Sequence, residues 1–301
     1  MPSLLKMLKN PAKMVFLLDR MGISKLIPDR QYLKIKYRAS IGKKLNLKDP
    51  KTYNAKLQWL KIYDRNPEYT KLVDKYEVKS YVAEKIGDEY IIPTLGVWDS
   101  VEDIDFDMLP NRFVLKCTHD SGGLVICKDK TSLDIAEAKR KLSKSLKSEF
   151  YYVGREWPYK NVKPRILAEA YMEDTGSGEL RDFKFYCFDG EAKAVLIATD
   201  RQKEGEKAKY DFYDMSFEHL DVRRGCQNSM KALDKPETFE NMKLIAQTLS
   251  KGFPHVRIDL YEVDGKNYFG EMTFYPGNGM VPFVPEKWDY TFGSWLKLPS
   301  K

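Results

Sequence analysis

The spacing of apolar residues in the first half of the chain predicts helices followed by strands. Residues 1–65 carry short helical patterns broken by prolines, and apolar residues then recur at helical spacing from Tyr69 until Gly87, a typical helix stop. Two apolar segments, 112–117 and 124–129, flank the loop THDSGG and have the composition of strands. Because this loop is too short to hold a crossover helix, we expect the two strands to be antiparallel.

The second half of the chain repeats this alternation. A helix is predicted over 132–147, followed by strands in RILAEAYM and FKFYCFDGEAKAVLIATD, the latter turning at Asp189-Gly190. Pro236 suits the first turn of another helix, and a last hairpin, VRIDLYEVDGKNYFGEMTF, spans 256–274. This order of elements indicates an α+β fold in which helices pack on antiparallel sheets.

The last hairpin carries an acid on each arm, and its register decides whether the two acids meet. If Asp264-Gly265 were the whole of a two-residue turn, Asp259 and Glu271 would lie on opposite faces. The apolar alternation instead favours a register in which the two acids face each other, because a slip of one residue would bury Glu271. We therefore expect an odd-numbered loop.

This register also fixes the neighbours of the acids. It places Arg257 opposite Thr273 and puts Phe269 on the face of the acids. Two carboxylates about 5 Å apart repel each other unless a positive charge lies between them, and hard carboxylate oxygens suit Mg²⁺. The alternative is that Arg257 alone relieves the repulsion.

Lys116 lies within a predicted strand, directly before the glycine loop. A lysine and the backbone N–H groups of such a loop can surround phosphates. A structural lysine at a sheet edge before an ordinary turn fits the same pattern. Further along the chain, Glu169 and Tyr171 end an apolar strand, and Asp182 and Lys184 share one face of the next.

The composition favours a soluble globular protein over a membrane-spanning one. With 43% hydrophobic and 32% charged residues in 301, the chain resembles an ordinary soluble globular protein, and its apolar runs are too short to span a membrane. No signal-peptide pattern is present, so we expect a cytoplasmic protein whose four cysteines are free thiols. The net charge of +7 is concentrated between Lys6 and Lys51. This segment could contact anionic lipid or polymer at the inner face of the membrane, or be a solvated basic face.

The order of these segments resembles the ATP-grasp superfamily, and more closely the TupA-like ATP-grasp family linked to teichuronopeptide and surface polysaccharide synthesis. The resemblance begins near residue 45 and rests on LNLKDPKTYNAKLQW and the segment that follows it, LPNRFVLKCTHDSGG, ILAEAYM, RDFKFYCFDGEAK and FPHVRIDLYEVDGKNYFGEMTFYPGNGM. It implies two α+β lobes whose antiparallel sheets clasp ATP. The implied divisions are a helical extension (1–65), an N-terminal lobe (66–110), a small lobe with the phosphate loop (111–168) and a C-terminal lobe with the metal site (169–301).

The resemblance also implies roles for individual residues, with ATP and Mg²⁺ as cofactors. ATP phosphates would be held by Lys116, by the loop residues Ser121, Gly122 and Gly123, and by Lys184 after Asp182. Glu169 and Tyr171 would meet adenine. Asp259 and Glu271 would bind the metal, with Arg257 supporting the anionic transition state.

Two positions depart from the family pattern. Many ATP-grasp enzymes have Asn where this chain has Thr273, so the third metal ligand is either lost or supplied by the threonine hydroxyl. Family members also tend to have Glu where this chain has Ala55.

The resemblance implies an ATP-dependent ligase that activates a carboxylate as an acylphosphate and joins it to an amino acid or another amine, with a uronic acid of a surface glycan as the candidate carboxylate. The main alternative is a glycosyltransferase, since the acids of DIDFDM, Asp103, Asp105 and Asp107, have D-x-D spacing. Because those acids lie in a polar stretch before Leu109-Pro110, the sequence favours a solvated loop. A further alternative is a non-catalytic protein that binds an anionic polymer or membrane. Nucleic acid is not expected as a partner, and His119 is expected to be exposed in its loop.

Overall fold

The computed structural model describes residues 15, 17–19, 22–176, 180–200, 208–229 and 233–300. The helices are α1 (Asp29–Ile41), α2 (Tyr53–Tyr63), α3 (Glu68–Val73), α4 (Val78–Ile86), α5 (Ile135–Leu146), α6 (Tyr151–Gly154), α7 (Phe239–Leu249) and α8 (Lys287–Trp295). The strands are β1 (Thr94–Trp98), β2 (Phe113–Cys117), β3 (Leu124–Cys127), β4 (Ile166–Ala170), β5 (Asp182–Phe188), β6 (Glu191–Thr199), β7 (Lys209–Tyr213), β8 (His219–Leu220), β9 (Arg223–Arg224), β10 (Val256–Val263), β11 (Lys266–Thr273) and β12 (Phe283–Val284). Single 3₁₀ turns cover Ile23–Leu26, Asp88–Tyr90, Lys130–Ser132, Trp157–Asn161 and Pro276–Gly279.

The smaller sheet has the strand order β1-β4-β2-β3, and its neighbours are antiparallel. This confirms the antiparallel pair predicted around the glycine loop. Helix α5 packs on β2 and β3, and Leu142 joins Phe113, Leu115 and Ile166 in a hydrophobic core of its own. The helix begins three residues later than predicted, because the Asp134 side chain caps it by accepting from the backbone of Glu137.

The larger sheet has the order β11-β10-β5-β6-β7-β8, and helix α7 packs on it. Its core also includes buried residues of α1 to α4, so these helices are part of the larger hydrophobic cluster. Helix α7 begins at Phe239, whose backbone N–H donates to the carbonyl of Pro236, so the proline lies before the helix instead of in its first turn. The four-part domain division stays a prediction.

The last hairpin combines both registers that the sequence suggested. Near the turn Val263 faces Lys266, so Asp264-Gly265 is a two-residue turn with positive φ at both residues, and the predicted odd-numbered loop is wrong. Between Leu260 and Asp259 the register shifts, because Gly270 is the extra residue of a β-bulge.

The bulge has two consequences for neighbouring side chains. Asp259 faces Glu271 and Arg257 faces Thr273, which confirms the predicted register at the acids. Phe269, however, faces Leu260 and is buried in the core, so its predicted place beside the acids is wrong. One extra residue thus lets strand β11 send an aromatic ring into the core and a carboxylate to the opposite face.

The structure also bears on the other predictions from the sequence. The turn at Asp189-Gly190 joins β5 to β6 with positive φ at both residues, as predicted. The four cysteines are free, also as predicted. Within the described part of the chain no helix is long and apolar enough to cross a membrane. Residues 6–14 of the basic segment lie outside the described residues.

Candidate active site

A cavity of about 380 Å³ lies between the two sheets. The smaller sheet contributes residues of β2, β3 and β4, and the larger sheet contributes Tyr261, Gly270 and Glu271. Among the residues predicted for the site, the cavity is lined by Lys116, Ser121, Gly123, Glu169, Tyr171 and Glu271. The other predicted residues do not line it: Gly122 is exposed in the loop, and Asp182, Lys184, Arg257, Asp259 and Thr273 belong to a charge network that includes Glu271.

Arg257 bridges the two acids of the hairpin. Its Nε and Nη2 donate to the two oxygens of Asp259 at 2.6 and 2.7 Å, and Nη2 also donates to Glu271 Oε1 at 2.8 Å. The hydroxyl of Thr273 donates to the same Glu271 oxygen at 3.0 Å. These side chains meet because alternate residues of adjacent strands point to one face of the sheet.

Lys184 extends this network to strand β5. It faces Asp259 across the sheet, and its Nζ lies 2.5 Å from Asp259 Oδ2 and 2.6 Å from Asp182 Oδ2. Burial alone would lower the pKa of Lys184, but Asp182 and Asp259 raise it above the usual value. The Lys184 ammonium is therefore held charged inside the sheet face.

The two acids of the hairpin differ in ionisation. Burial favours the neutral form of Glu271, but Arg257, Lys184 and Lys75 outweigh it and lower its pKa to about 2. Burial raises the pKa of Asp259 to about 6, against the opposing charges of Arg257 and Lys184. At neutral pH Glu271 is thus the firmly ionised carboxylate that faces the cavity.

On the opposite wall, Glu169 links two lysines. Its Oε2 lies 2.5 Å from Lys116 Nζ and its Oε1 lies 2.7 Å from Lys79 Nζ. Burial would raise the pKa of Glu169, but the two lysines lower it below the usual value. Tyr171, just beyond strand β4, lines the same cavity and lies under the Arg112 guanidinium, 4.3 Å from the centre of its ring. Lys116 is thus a fixed cation of the cavity wall.

The glycine loop is anchored at one end and open at its tip. Asp120 Oδ1 accepts the backbone N–H of Gly123 at 3.2 Å, and its Oδ2 accepts the Ser145 hydroxyl. A Cβ at Gly123 would lie 2.3 Å from Ser145 Oγ, so this close approach requires glycine. Ser121 and Gly122 are exposed, and their N–H groups make no hydrogen bond with the described residues.

His119, expected to be exposed, is buried. Its Nε2 lies 3.2 Å from the carbonyl of Ser148, and burial lowers its pKa. The prediction was wrong because the loop folds back on the end of helix α5, which no local pattern indicates.

Several cavity residues were not predicted from the sequence: Lys75, Asp120, Met172, Leu180 and Tyr261. Lys75 is the most informative of them. Its Nζ donates to the carbonyls of Cys117, at 3.2 Å, and Asp120, which fixes an ammonium at the base of the glycine loop. In the sequence it lies among apolar residues with helical spacing and is indistinguishable from a solvated lysine.

The donor set partly fits a magnesium ion. Within the described residues no group of three or more His, Cys, Asp or Glu could hold a metal. Mg²⁺ commonly takes one or two carboxylates and completes its shell with water and substrate phosphates. Glu271 suits this, since its side chain is 40% exposed and its Oε2 has no partner among the described residues. At Asp259, whose side chain is 1% exposed, a cation would have to compete with Arg257 and Lys184.

The acids of the D-x-D pattern lie elsewhere. Asp103, Asp105 and Asp107 are exposed in the loop between β1 and β2, and Asp105 accepts the backbone N–H of Asp107 at 3.0 Å. They do not line the cavity between the sheets. The geometry is that of a solvated turn.

Comparison with known proteins places this chain in a family. No curated protein matches the chain. Among solved structures, a D-alanine–D-alanine ligase from Bacillus anthracis matches with 17% identity over 67% of this chain and 57% of its own, at a TM-score of 0.40. The ATP-grasp ligase PsnB, solved with a phosphomimetic variant of its minimal precursor, Mg and ADP, matches with 11% identity over 89% of this chain and 70% of its own, at 0.43. The D-cycloserine synthetase DcsG matches with 15% identity over 81% and 70%, at 0.38.

These matches are distant, and the chain spans 57% of the length of the Bacillus anthracis ligase. The family assignment rests on the sequence instead. The family model for TupA-like ATPgrasp proteins matches residues 55–297, which includes both sheets and the cavity between them. The chain therefore belongs to the TupA-like ATP-grasp family and has the predicted ATP-grasp fold.

Proposed function

We propose that this protein is an ATP-dependent ligase that activates a carboxylate as an acylphosphate and joins it to an amine. The main support for this proposal is that fixed charges face each other across one cavity. Glu271, backed by Arg257 and Lys184, lies on one wall, while Lys116 and Lys75 line the other. Phosphoryl transfer depends mainly on positioning and on charges placed where the transferring oxygens become negative.

Each wall has a distinct part in the proposed reaction. ATP would lie in the cavity as a substrate, with its phosphates at Lys116, Lys75 and the free N–H groups of Ser121 and Gly122. Glu169 and Tyr171 line the part of the cavity proposed for adenine. Mg²⁺, when bound at Glu271 and Asp259, would neutralise phosphate charge. Arg257 and Lys184 would stabilise the anionic transition state of transfer to the carboxylate.

For the carboxylate we propose a uronic acid of a surface polysaccharide, on the strength of the family's link to teichuronopeptide synthesis. The test is ADP release by the protein with Mg²⁺-ATP and D-glucuronate or D-galacturonate, with hydroxylamine added to trap an acylphosphate as hydroxamate. We expect ADP and hydroxamate in equal amounts, dependent on the uronate. ADP release without hydroxamate across uronates and amino acids would contradict the ligase.

We also propose a peripheral contact of the basic segment with an anionic surface. It is supported by an open cavity of about 570 Å³ lined by Lys34, Arg38 and Lys44 beside Ile35 and Leu45. The test is sedimentation with vesicles containing phosphatidylserine. The triple Lys34→Glu, Arg38→Glu, Lys44→Glu variant should lose salt-sensitive binding, and unchanged binding would exclude this face.

A further inference from the structure

Glu156 is a buried carboxylate without a partner. Only 5% of the residue is exposed, and its carboxylate makes no hydrogen bond or ion pair with the described residues; its oxygens are not among the fully buried atoms that lack a partner, so they keep a contact with solvent. Buried carboxylates in folded proteins are nearly always paired, because removing the charge from water is costly. Glu156 is therefore a carboxylate at a narrow solvent contact, where a cation from outside the chain can pair with it.

The segment that carries Glu156 is fixed beside the end of strand β11. Lys61 Nζ donates to the carbonyls of Gly154 and Asn278 at 2.7 and 2.8 Å. Trp157 Nε1 donates to the hydroxyl of Tyr275 at 3.0 Å. These three bonds tie Gly154, through Lys61, and Trp157 to the chain that leaves the charged hairpin.

The surroundings of Glu156 include the proposed catalytic charges. The charges of Lys61, Arg257 and Lys36 lower the pKa of its carboxyl, and the charge of Glu271 raises it. Glu271 lines the cavity proposed for the nucleotide, whereas Glu156 and Arg257 do not. Glu156 is thus near the charged hairpin but outside the nucleotide cavity, as a group that acts on the second substrate should be.

The Glu156 carboxylate is free to accept hydrogen bonds from a donor outside the chain. Lys61, the charge that lowers the pKa of Glu156 most, already uses its three donors on Gln58 Oε1, the Gly154 carbonyl and the Asn278 carbonyl. A second carboxylate would be repelled by Glu156, whereas a primary ammonium would satisfy it.

We propose, on the basis of the ligase function above, that Glu156 binds the ammonium group of the amine substrate and accepts its proton. The proton moves from the substrate nitrogen to the Glu156 carboxylate, and the nitrogen lone pair forms the C–N bond at the acyl carbon. The bond from that carbon to the phosphate oxygen breaks, phosphate leaves with its electron pair, and the second proton that the nitrogen loses passes to the leaving phosphate. The products are the amide, phosphate and protonated Glu156, which then returns its proton to water.

The ionisation of Glu156 suits this role. Burial raises its pKa to about 7, against the lowering effect of Lys61 and Arg257. A base whose pKa lies near the working pH is more effective than an ordinary carboxylate. Amide formation should therefore fall as pH drops below about 7, because Glu156 becomes protonated, and a Gln at this position should remove that limb.

The test separates an attacking amine that needs a base from one that does not. Wild type, Glu156→Gln, Glu156→Asp and the exposed control Glu149→Gln are each given Mg²⁺-ATP and D-glucuronate. The nucleophile is either hydroxylamine, which is largely unprotonated near neutral pH, or a panel of D- and L-amino acids, ethanolamine and putrescine. Amide, hydroxamate and ADP are measured across pH.

We expect Glu156→Gln to lower amide formation by roughly 10²- to 10⁴-fold and to leave hydroxamate formation and the KM for ATP within about twofold. Glu156→Asp should keep part of the amide activity, and Glu149→Gln all of it. Equal amide formation by Glu156→Gln and wild type would overturn the inference. A loss of hydroxamate formation by Glu156→Gln as large as its loss of amide formation would also overturn it. So would a wild type that makes hydroxamate but no amide. A wild type that forms no hydroxamate would instead contradict the ligase function, and this inference with it.

Discussion

The two walls of the cavity differ in how their polar groups are paired. On the larger sheet Asp182 and Asp259 are almost fully buried and are paired with the partly buried Lys184 and Arg257 on neighbouring strands. On the smaller sheet the fixed Glu169–Lys116 pair lies beside a loop whose tip, at Ser121, is exposed and whose backbone donors have no partner among the described residues.

This difference suggests a division of labour. Charges that must stabilise a transition state work best when they are fixed in advance by the surrounding fold, as on the larger sheet. Groups that must enclose a substrate and release it again are typically found on loops held by a rigid scaffold, as on the smaller sheet. The variants below test whether the walls differ in this way.

The largest expected difference is between the two lysines. Lys184→Met leaves Asp182 and Asp259 buried without their shared cation, so it should lower the free energy of unfolding by about 3–5 kcal/mol. Lys116→Met leaves Glu169 paired with Lys79 and should cost less than half as much. Urea unfolding followed by circular dichroism measures both, and equal losses would contradict the distinction between the walls.

The next effect concerns activity. Glu271→Gln removes the ionised group that faces the cavity but leaves the Arg257–Asp259 pair in place. We expect ADP formation to fall roughly 10²- to 10³-fold. Glu262→Gln, on the same hairpin and bonded to Thr238, is the matched control and should keep wild-type turnover. Similar turnover of both variants would remove Glu271 from the mechanism.

A smaller effect is expected at the bulge. A Cβ at Gly270 would lie 3.0 Å from the carbonyl oxygen of Asp259 and 3.0 Å from the ring of Tyr261. Gly270→Ala should therefore lower the free energy of unfolding by about 1–3 kcal/mol, as overpacking does. Gly176→Ala, where the nearest contact is 3.7 Å, should change it little. A neutral Gly270→Ala would show that the bulge tolerates the added atom.

The smallest effect is expected at the anchor of the glycine loop. Ser145→Ala removes a hydroxyl that donates to Asp120, so stability should fall by about 0.5–1.5 kcal/mol, and the KM for ATP should rise. Ser132→Ala, whose hydroxyl donates to the Asp129 carbonyl on the surface, is the control. An unchanged KM would mean that the anchor does not shape the nucleotide site.

The two walls were also unequally predictable from the sequence. The pairing of Asp259 with Glu271 followed from apolar alternation, because burying one face of a strand fixes its register. The bulge at Gly270 was missed, since the turn and the alternation implied different registers and the compromise needs tertiary packing. Lys75, Lys79 and Glu156 were missed because they come from helices and turns distant in sequence, where a polar residue gives no local sign of burial.

The central claim is that Glu271 and Asp259 hold Mg²⁺ with a nucleotide in the cavity. Its most direct test is calorimetric titration of wild type and Glu271→Gln with the analogue AMPPNP, with Mg²⁺ or with EDTA. We predict that Mg²⁺ tightens binding to wild type by about tenfold or more, and that this gain largely disappears in Glu271→Gln while binding in EDTA is unchanged or stronger. An equal gain from Mg²⁺ in both proteins would contradict the claim.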